Sequence, residues 1–276
     1  SFYTDTDSCY ITLDVLVEKF LKDKSHTEII DALDKITEDK IEPCINKAMS
    51  NLAKYTNAFE DKIFFKREAI ADSGIFVSKK RYALNVYDNE GVRYAEPKLK
   101  VMGLEIVRSS TPAPVRQSLR DAVALCLNKD EKALQEYVEE HWQAFKNMTP
   151  EQIAFPRGCN NLAKYTSGIS IYAKGTPIAV RGALMYNHQL KGSKLTNRYE
   201  YIKEGDKVKF LYLKEPNLIR ENVISFIGKL PPEFDLHQYV DYEMMFEKAF
   251  IEPLQNITKS LNWDTRPVAS LMDLFV

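Results

Sequence analysis

The chain has 276 residues, 45% hydrophobic and 28% charged, with a formal net charge of −1. That is the composition of a globular protein with enough material for one large or two smaller units, and it excludes a uniformly basic nucleic-acid binder and a low-complexity chain. No apolar run approaches a membrane span and no signal-peptide pattern opens the chain, so a cytoplasmic protein is expected.

The first informative stretch is Tyr3-Thr4-Asp5-Thr6-Asp7-Ser8, followed by Cys9-Tyr10-Ile11-Thr12-Leu13. Thr, Tyr and Ile favour extended chain and Asp favours turns, so this reads as strand, tight turn and strand. Aspartates two apart on such a turn can converge on one point, as a hard cation such as Mg²⁺ requires; a simple solvated turn has the same composition. An EF-hand loop is excluded, because its glycine position falls on Tyr10 and a strand follows.

Val15 to Leu21 reads as a short packed helix. Ser25 or Thr27 caps a longer one, with Ile29, Leu33, Ile36, Ile41, Ile45, Ala48 and Leu52 at near-helical spacing and Pro43 restarting or kinking it. Asp31, Asp34, Glu38 and Asp39 suit its solvated face. Strands follow at Lys62–Ile70 and from Gly74, then a hairpin of Ala83–Tyr87 and Val92–Ala95 around Asp88-Asn89-Glu90-Gly91.

Thr111-Pro112 reads as cap and first-turn proline of a helix with Val115, Leu119, Ala122, Val123, Cys126 and Leu127 on one face. A second helix carries Leu134, Tyr137, Val138, His141, Trp142 and Phe145, and His141 reads as a packed residue. Residues 155–210 are mixed and basic, with Lys191 and Lys194 in a Gly/Ser-containing loop. Strands are expected at Lys207–Leu213 and Asn222–Ile227, then an amphipathic helix from Tyr242 to Ile257 that Pro253 can bend.

Charge is unevenly distributed. Residues 1–61 carry −6, 62–116 carry +5, 117–156 carry −3, 157–210 carry +7 and 211–276 carry −4. Two basic zones flanking an acidic one suit a protein that grips a polyanion from two places. The four cysteines are widely spaced, without a metal-type cluster, and read as reduced thiols. No glycine-rich phosphate loop, zinc signature or Ser-His-Asp set is present.

Tyr-x-Asp-Thr-Asp-Ser resembles the second catalytic motif of family B (alpha-like) DNA polymerases. Lys66-Arg67-Glu68-Ala69-Ile70, Lys79-Lys80-Arg81-Tyr82-Ala83-Leu84-Asn85-Val86, Tyr94-Ala95-Glu96-Pro97-Lys98-Leu99-Lys100-Val101-Met102-Gly103-Leu104-Glu105 and Ser109-Ser110-Thr111-Pro112 extend the likeness in order. So do Asn161–Tyr165 and Pro177–Asn187, with the T-even bacteriophage type as the pattern. The segment between Ile70 and Lys79 is shorter than in the family and lacks its glycine-rich stretch.

The resemblance implies an α+β chain. Residues 1–108 would be the C-terminal part of the palm, an antiparallel sheet with packed helices. Residues 109–264 would be a mainly helical thumb with a small β element, and 265–276 a sliding-clamp-binding tail. It implies Asp5 and Asp7 as catalytic carboxylates, with Asp7, Asp5 and Glu68 around two Mg²⁺ ions. Lys79, Lys80, Arg81, Tyr82, Lys164, Arg181, Lys191 and Lys194 would hold primer–template DNA, and Leu271, Met272, Leu274 and Phe275 would dock on the clamp. The family's first metal-binding motif, its fingers helix and its exonuclease domain have no counterpart here. The expectation is therefore a C-terminal piece of a polymerase in phage DNA replication, its site and incoming-dNTP apparatus completed by an N-terminal polypeptide. A non-catalytic DNA-binding and clamp-tethering module is the alternative, and a stand-alone metal-dependent nuclease a third reading.

Overall fold

The computed structural model describes residues 3–5, 7–167 and 170–267. It is a mixed α+β structure of two compact units that divide between Met102 and Gly103.

The first unit opens with β1 (Tyr3–Asp5) and β2 (Ser8–Tyr10), paired antiparallel with Asp5 opposite Ser8. The turn is closed by Asp7 N–H donating to Asp5 O at 2.6 Å and Ser8 Oγ donating to the same oxygen at 3.2 Å. Helix α1 (Asp14–Phe20) forms where the apolar cluster predicts it, but buries none of its residues. The expected packing fails because an apolar cluster records a need for a partner, and the described residues around Val15 and Phe20 do not supply one.

Helix α2 (His26–Ile36) starts at Ser25 with a capping box: Ser25 Oγ accepts from Glu28 N–H, and Glu28 Oε2 accepts from Ser25 N–H at 2.9 Å. A π turn over Thr37–Ile41 leads into α3 (Glu42–Tyr55). Pro43 lies in the first turn of α3, where its missing N–H costs least, so the extra residue of the π turn falls just ahead of it.

Sheet β3 (Ala69–Ser78), β4 (Arg81–Asn89) and β5 (Val92–Met102) is antiparallel with β4 central. Its hairpin turn places Glu90 and Gly91 at positive φ, with Gly91 N–H donating to Asp88 Oδ1 at 3.0 Å. Two strands were expected before β4, and one bulged strand is found. Residues 62–68 are not in a strand, because α3 side chains take their backbone groups first. Asn46 holds both polar groups of Phe65, at 2.7 and 3.2 Å, and Glu42 accepts from Arg67 N–H at 2.6 Å. The core is Tyr82, Leu84 and Val86 of β4, with Tyr10, Phe76 and Tyr94 packed against it.

The second unit begins with α4 (Ala113–Asn128) and α5 (Glu131–Phe145), which pack on the apolar faces read from the sequence. Asp130 caps α5 by accepting from Ala133 N–H at 2.9 Å. The start of α4 differs from expectation. Pro112 takes the cap position and Pro114 the first turn, while Thr111 Oγ1 donates back to Glu105 O at 3.0 Å. Short helix α6 (Pro150–Ile153), β6 (Phe155–Gly158), short helix α7 (Leu162–Tyr165) and α8 (Ile178–Ser193) follow.

Strands β7 (Lys207–Tyr212) and β8 (Val223–Phe226) complete the sheet β6-β7-β8, against which α8 packs. The approach is close at Gly182, where a Cβ would lie 2.5 Å from Ser225 Oγ and 2.7 Å from Ser225 N. The expected last helix is two, α9 (Tyr242–Phe246) and α10 (Glu252–Thr258), joined by a π turn ahead of Pro253. Among the described residues, no helix is long and apolar enough to cross a membrane.

Candidate active site

The two short turns of the first unit meet. The β1–β2 turn carries Asp5, half-buried, and Asp7, exposed. The β3–β4 turn carries Lys79 and Lys80, both exposed, with Lys80 in the left-handed region at φ 62°. Lys79 Nζ lies 3.9 Å from Asp5 Oδ1 and Lys80 Nζ 4.0 Å from Asp5 Oδ2. Lys80 N–H donates to Tyr3 Oη at 2.7 Å, so the strained turn is held through its backbone as well.

Aromatic packing fixes this meeting. Tyr3, Tyr10, Phe76 and Tyr82 have ring centroids 5.0–6.4 Å apart. Tyr10 Oη donates to Tyr82 Oη at 2.7 Å. Burial first, then the Tyr82 hydrogen bond and nearby negative groups including Glu68, push the Tyr10 phenol well above its ordinary range, so it stays a donor. Of the expected DNA-holding run, Lys79 and Lys80 face solvent, Arg81 is half-buried and the Tyr82 ring is buried in this cluster.

Glu68 is exposed and its carboxylate is paired with Lys100. Asp5 and Asp7 offer the oxygen ligands that a hard divalent cation takes. Among the described residues, no group of three or more His, Cys, Asp or Glu is arranged to hold a metal. Asp5 faces two ammonium groups, whereas Asp7 is exposed to solvent. A full shell needs further oxygen from outside these residues.

A charge network unforeseen in the sequence lies in the same unit. Asp88, fully buried, is paired with Arg67 and, at 2.8 Å, with Arg93 Nε. Both arginines also reach α2: Arg67 Nε to Asp34 Oδ1 at 2.7 Å, Arg93 Nη2 to Asp34 Oδ2 at 3.0 Å and to Asp31 Oδ1 at 3.1 Å. Asp31 and Asp34 are thus not merely a solvated face. No sequence signal marked this network, because Asp88 reads simply as the start of the Asp88-Asn89-Glu90-Gly91 turn.

In the second unit the basic residues fall into two kinds. Lys164 on α7 and Lys191 on α8 are exposed, and exposed Lys194 follows α8 with φ 55°. Lys191 therefore lies in a helix and Lys194 at its cap, because α8 is held by burial against β8 past the Gly192 that reads as loop. Arg181 is turned inward: its Nη2 donates to Asn222 Oδ1 at 2.7 Å, and it lies 3.6 Å from Glu221, which Tyr172 Oη also contacts. Leu271, Met272, Leu274 and Phe275 lie outside the described residues.

The first unit thus sets Asp5 of an acidic turn beside two lysines, and the second unit bears further exposed lysines. The chain is homologous to bacteriophage DNA-directed DNA polymerases. It is 37% identical over 290 residues to the DNA-directed DNA polymerase of Escherichia phage RB69, across 99% of this chain. To that of Enterobacteria phage T4 it is 33% identical over 290 residues, across 98% of this chain. It spans 31% of the length of each of these curated relatives. No family model matches the chain.

Proposed function

We propose that this chain is the C-terminal portion of a DNA-directed DNA polymerase, with the first unit serving as part of the palm and the second as the thumb. The observation that carries this reading is the Asp5–Lys79–Lys80 junction, which sets an acidic turn beside cations in a chain homologous throughout to phage polymerases.

Divalent cations, Mg²⁺ being the expected one, would supply charge stabilisation of the attacking primer 3′-hydroxyl and of the departing pyrophosphate. Asp7 would contribute a ligand, together with an aspartate and further oxygen from the remaining polypeptide. Asp5 aims the Lys79 and Lys80 ammonium groups, which then meet the phosphates of the primer end. Glu68 sits further from this role, since Lys100 occupies its carboxylate. Lys164, Lys191 and Lys194 grip duplex phosphates, while Arg181 ties α8, which bears Lys191 and ends at Lys194, to Asn222 ahead of β8. The apolar tail, Leu271, Met272, Leu274 and Phe275, is a clamp-binding peptide. The partners are primer–template DNA, incoming dNTP, the N-terminal polypeptide and a sliding clamp, in the host cytoplasm.

The test is primer extension with Mg²⁺ and four dNTPs. We expect no extension by this chain alone, extension when the rest of the polymerase is added, and at least a 100-fold loss with Asp7→Ala. Extension that survives Asp7→Ala would leave a DNA-gripping, clamp-tethering module instead.

A further inference from the structure

The far end of α3 carries a surface that the described residues of the first unit leave in solvent. Asn57, at φ 52°, reverses the chain after the helix, and the return is held along α3 by Ser50 Oγ to Asp61 Oδ2 at 2.5 Å and by the Asn46–Phe65 pair. On this helix–return corner five large apolar side chains stand in solvent: Leu52 at 47%, Tyr55 at 88%, Phe59 at 98%, Ile63 at 58% and Phe64 at 68% exposure.

Glu60 pairs with Lys62 at 2.5 Å, Asp61 is held by Ser50, Lys54 is exposed, and residues 52–64 carry no net charge. A neutral, aromatic corner suits apolar protein surface better than a polyanion. The unit is also poorly cored for its size. Among its described residues, the buried hydrophobics are Ile30, Ile75 and four residues of β4. Aromatic side chains bury about 150–250 Å² each, so Tyr55, Phe59 and Phe64 alone offer on the order of 400–600 Å². That is more than half of the roughly 800 Å² that one side of a standard interface buries.

We infer that this corner, residues 52–64, is the docking surface for the remaining polypeptide of the polymerase. The inference rests on the reading that the chain is one portion of such an enzyme. About two thirds of the length of its relatives lies outside it, and that length must contact this unit somewhere. An uncharged, aromatic corner is the surface that a permanent intramolecular-type interface would use, being depleted of charge and rich in Tyr and Phe.

The experiment mixes this chain with a separately expressed polypeptide carrying the rest of the polymerase. Binding is followed by titration calorimetry, extension is assayed in parallel, and amide hydrogen exchange is recorded on the mixture. We expect Tyr55→Ser with Phe59→Ser to weaken binding at least 100-fold while the thermal midpoint of the chain alone stays unchanged, since both side chains are exposed. We also expect slowed exchange over residues 52–64 of the wild-type chain in the mixture. Binding with full affinity by the double variant, or wild-type binding without protection there, overturns the docking site but leaves the divided polymerase standing. Loss of self-association by the double variant, with partner binding intact, would assign the corner to a second copy and overturn the inference too. Neither binding nor extension by wild type overturns both. Should the double variant fail to fold, the exchange pattern of the wild-type chain decides alone.

Discussion

At the residue scale the most exposed consequence of burial is at His141. Its ring is packed among Tyr137, Phe145, Phe246 and Phe250, and its Nε2 is buried without a hydrogen-bond partner. Burial holds its pKa down at about 4, and the Asp121 carboxylate offsets this only in part. The unfolded chain therefore takes up a proton that the folded one refuses. Stability contributed by the neutral ring is complete above about pH 6.5 and is lost as pH falls from there toward 4. The expected loss is on the order of 3 kcal/mol. Urea denaturation at pH 7.5 and pH 4.5, with wild type and His141→Phe, checks it: the variant should lose most of the excess sensitivity. A wild-type and variant pair that decline equally would mean that other groups set the acid limit.

At the element scale, the first unit is tied together by an ion network as well as by its small apolar core. Asp88 at the β4 end joins Arg67 before β3 and Arg93 of β5, and both arginines continue to Asp34 of α2. Removing one partner of a buried ion network leaves the others uncompensated, which costs about 3–5 kcal/mol. Asp88→Ala should lower stability by that amount and loosen α2 from the sheet, seen as faster amide exchange over residues 26–36. A loss below about 1 kcal/mol would show the network to be a solvated cluster.

Elements also mark what the sequence could tell. The acidic turn, the β4–β5 hairpin and the α4–α5 faces were legible because turn chemistry and local periodicity specify them. Residues 62–68 were not, since Asn46 and Glu42, some twenty residues earlier, take the backbone groups a strand would use. Exposure of Val15 and Phe20 was equally hidden, because a periodic pattern reports where a face is apolar and not whether its partner belongs to the same chain. At the site, the carboxylates and lysines could be named from motif, but their meeting through Tyr3 and Asp5 is a three-dimensional fact. The Asp88 network could not be found at all, because its members look like ordinary surface charges one by one.

At the scale of the whole molecule, the near-zero net charge conceals basic zones at 62–116 and 157–210. If these meet duplex phosphates, affinity will fall with salt at about 0.9 logarithmic units per neutralised phosphate. Lys191→Ala with Lys194→Ala should then flatten the slope of log K against log salt by about 1.8 and leave sequence preference unchanged. A slope identical to wild type would remove those two lysines from the DNA-facing set. The chain mixed with the rest of the proposed polymerase is the appropriate material, with fluorescence anisotropy on a primer–template as the readout.

The Asp5–lysine contact ends in a reciprocity. Lys79 and Lys80 are counterions to Asp5 while no phosphate is near. On the proposed reading, a nucleic-acid backbone that recruits them would make the turn that carries Asp7 more negative. Occupancy by DNA and affinity for a cation would then be two sides of one coupling free energy, each strengthening the other by the same factor. On the proposed reading, such a turn would gather ions chiefly when a primer end is bound.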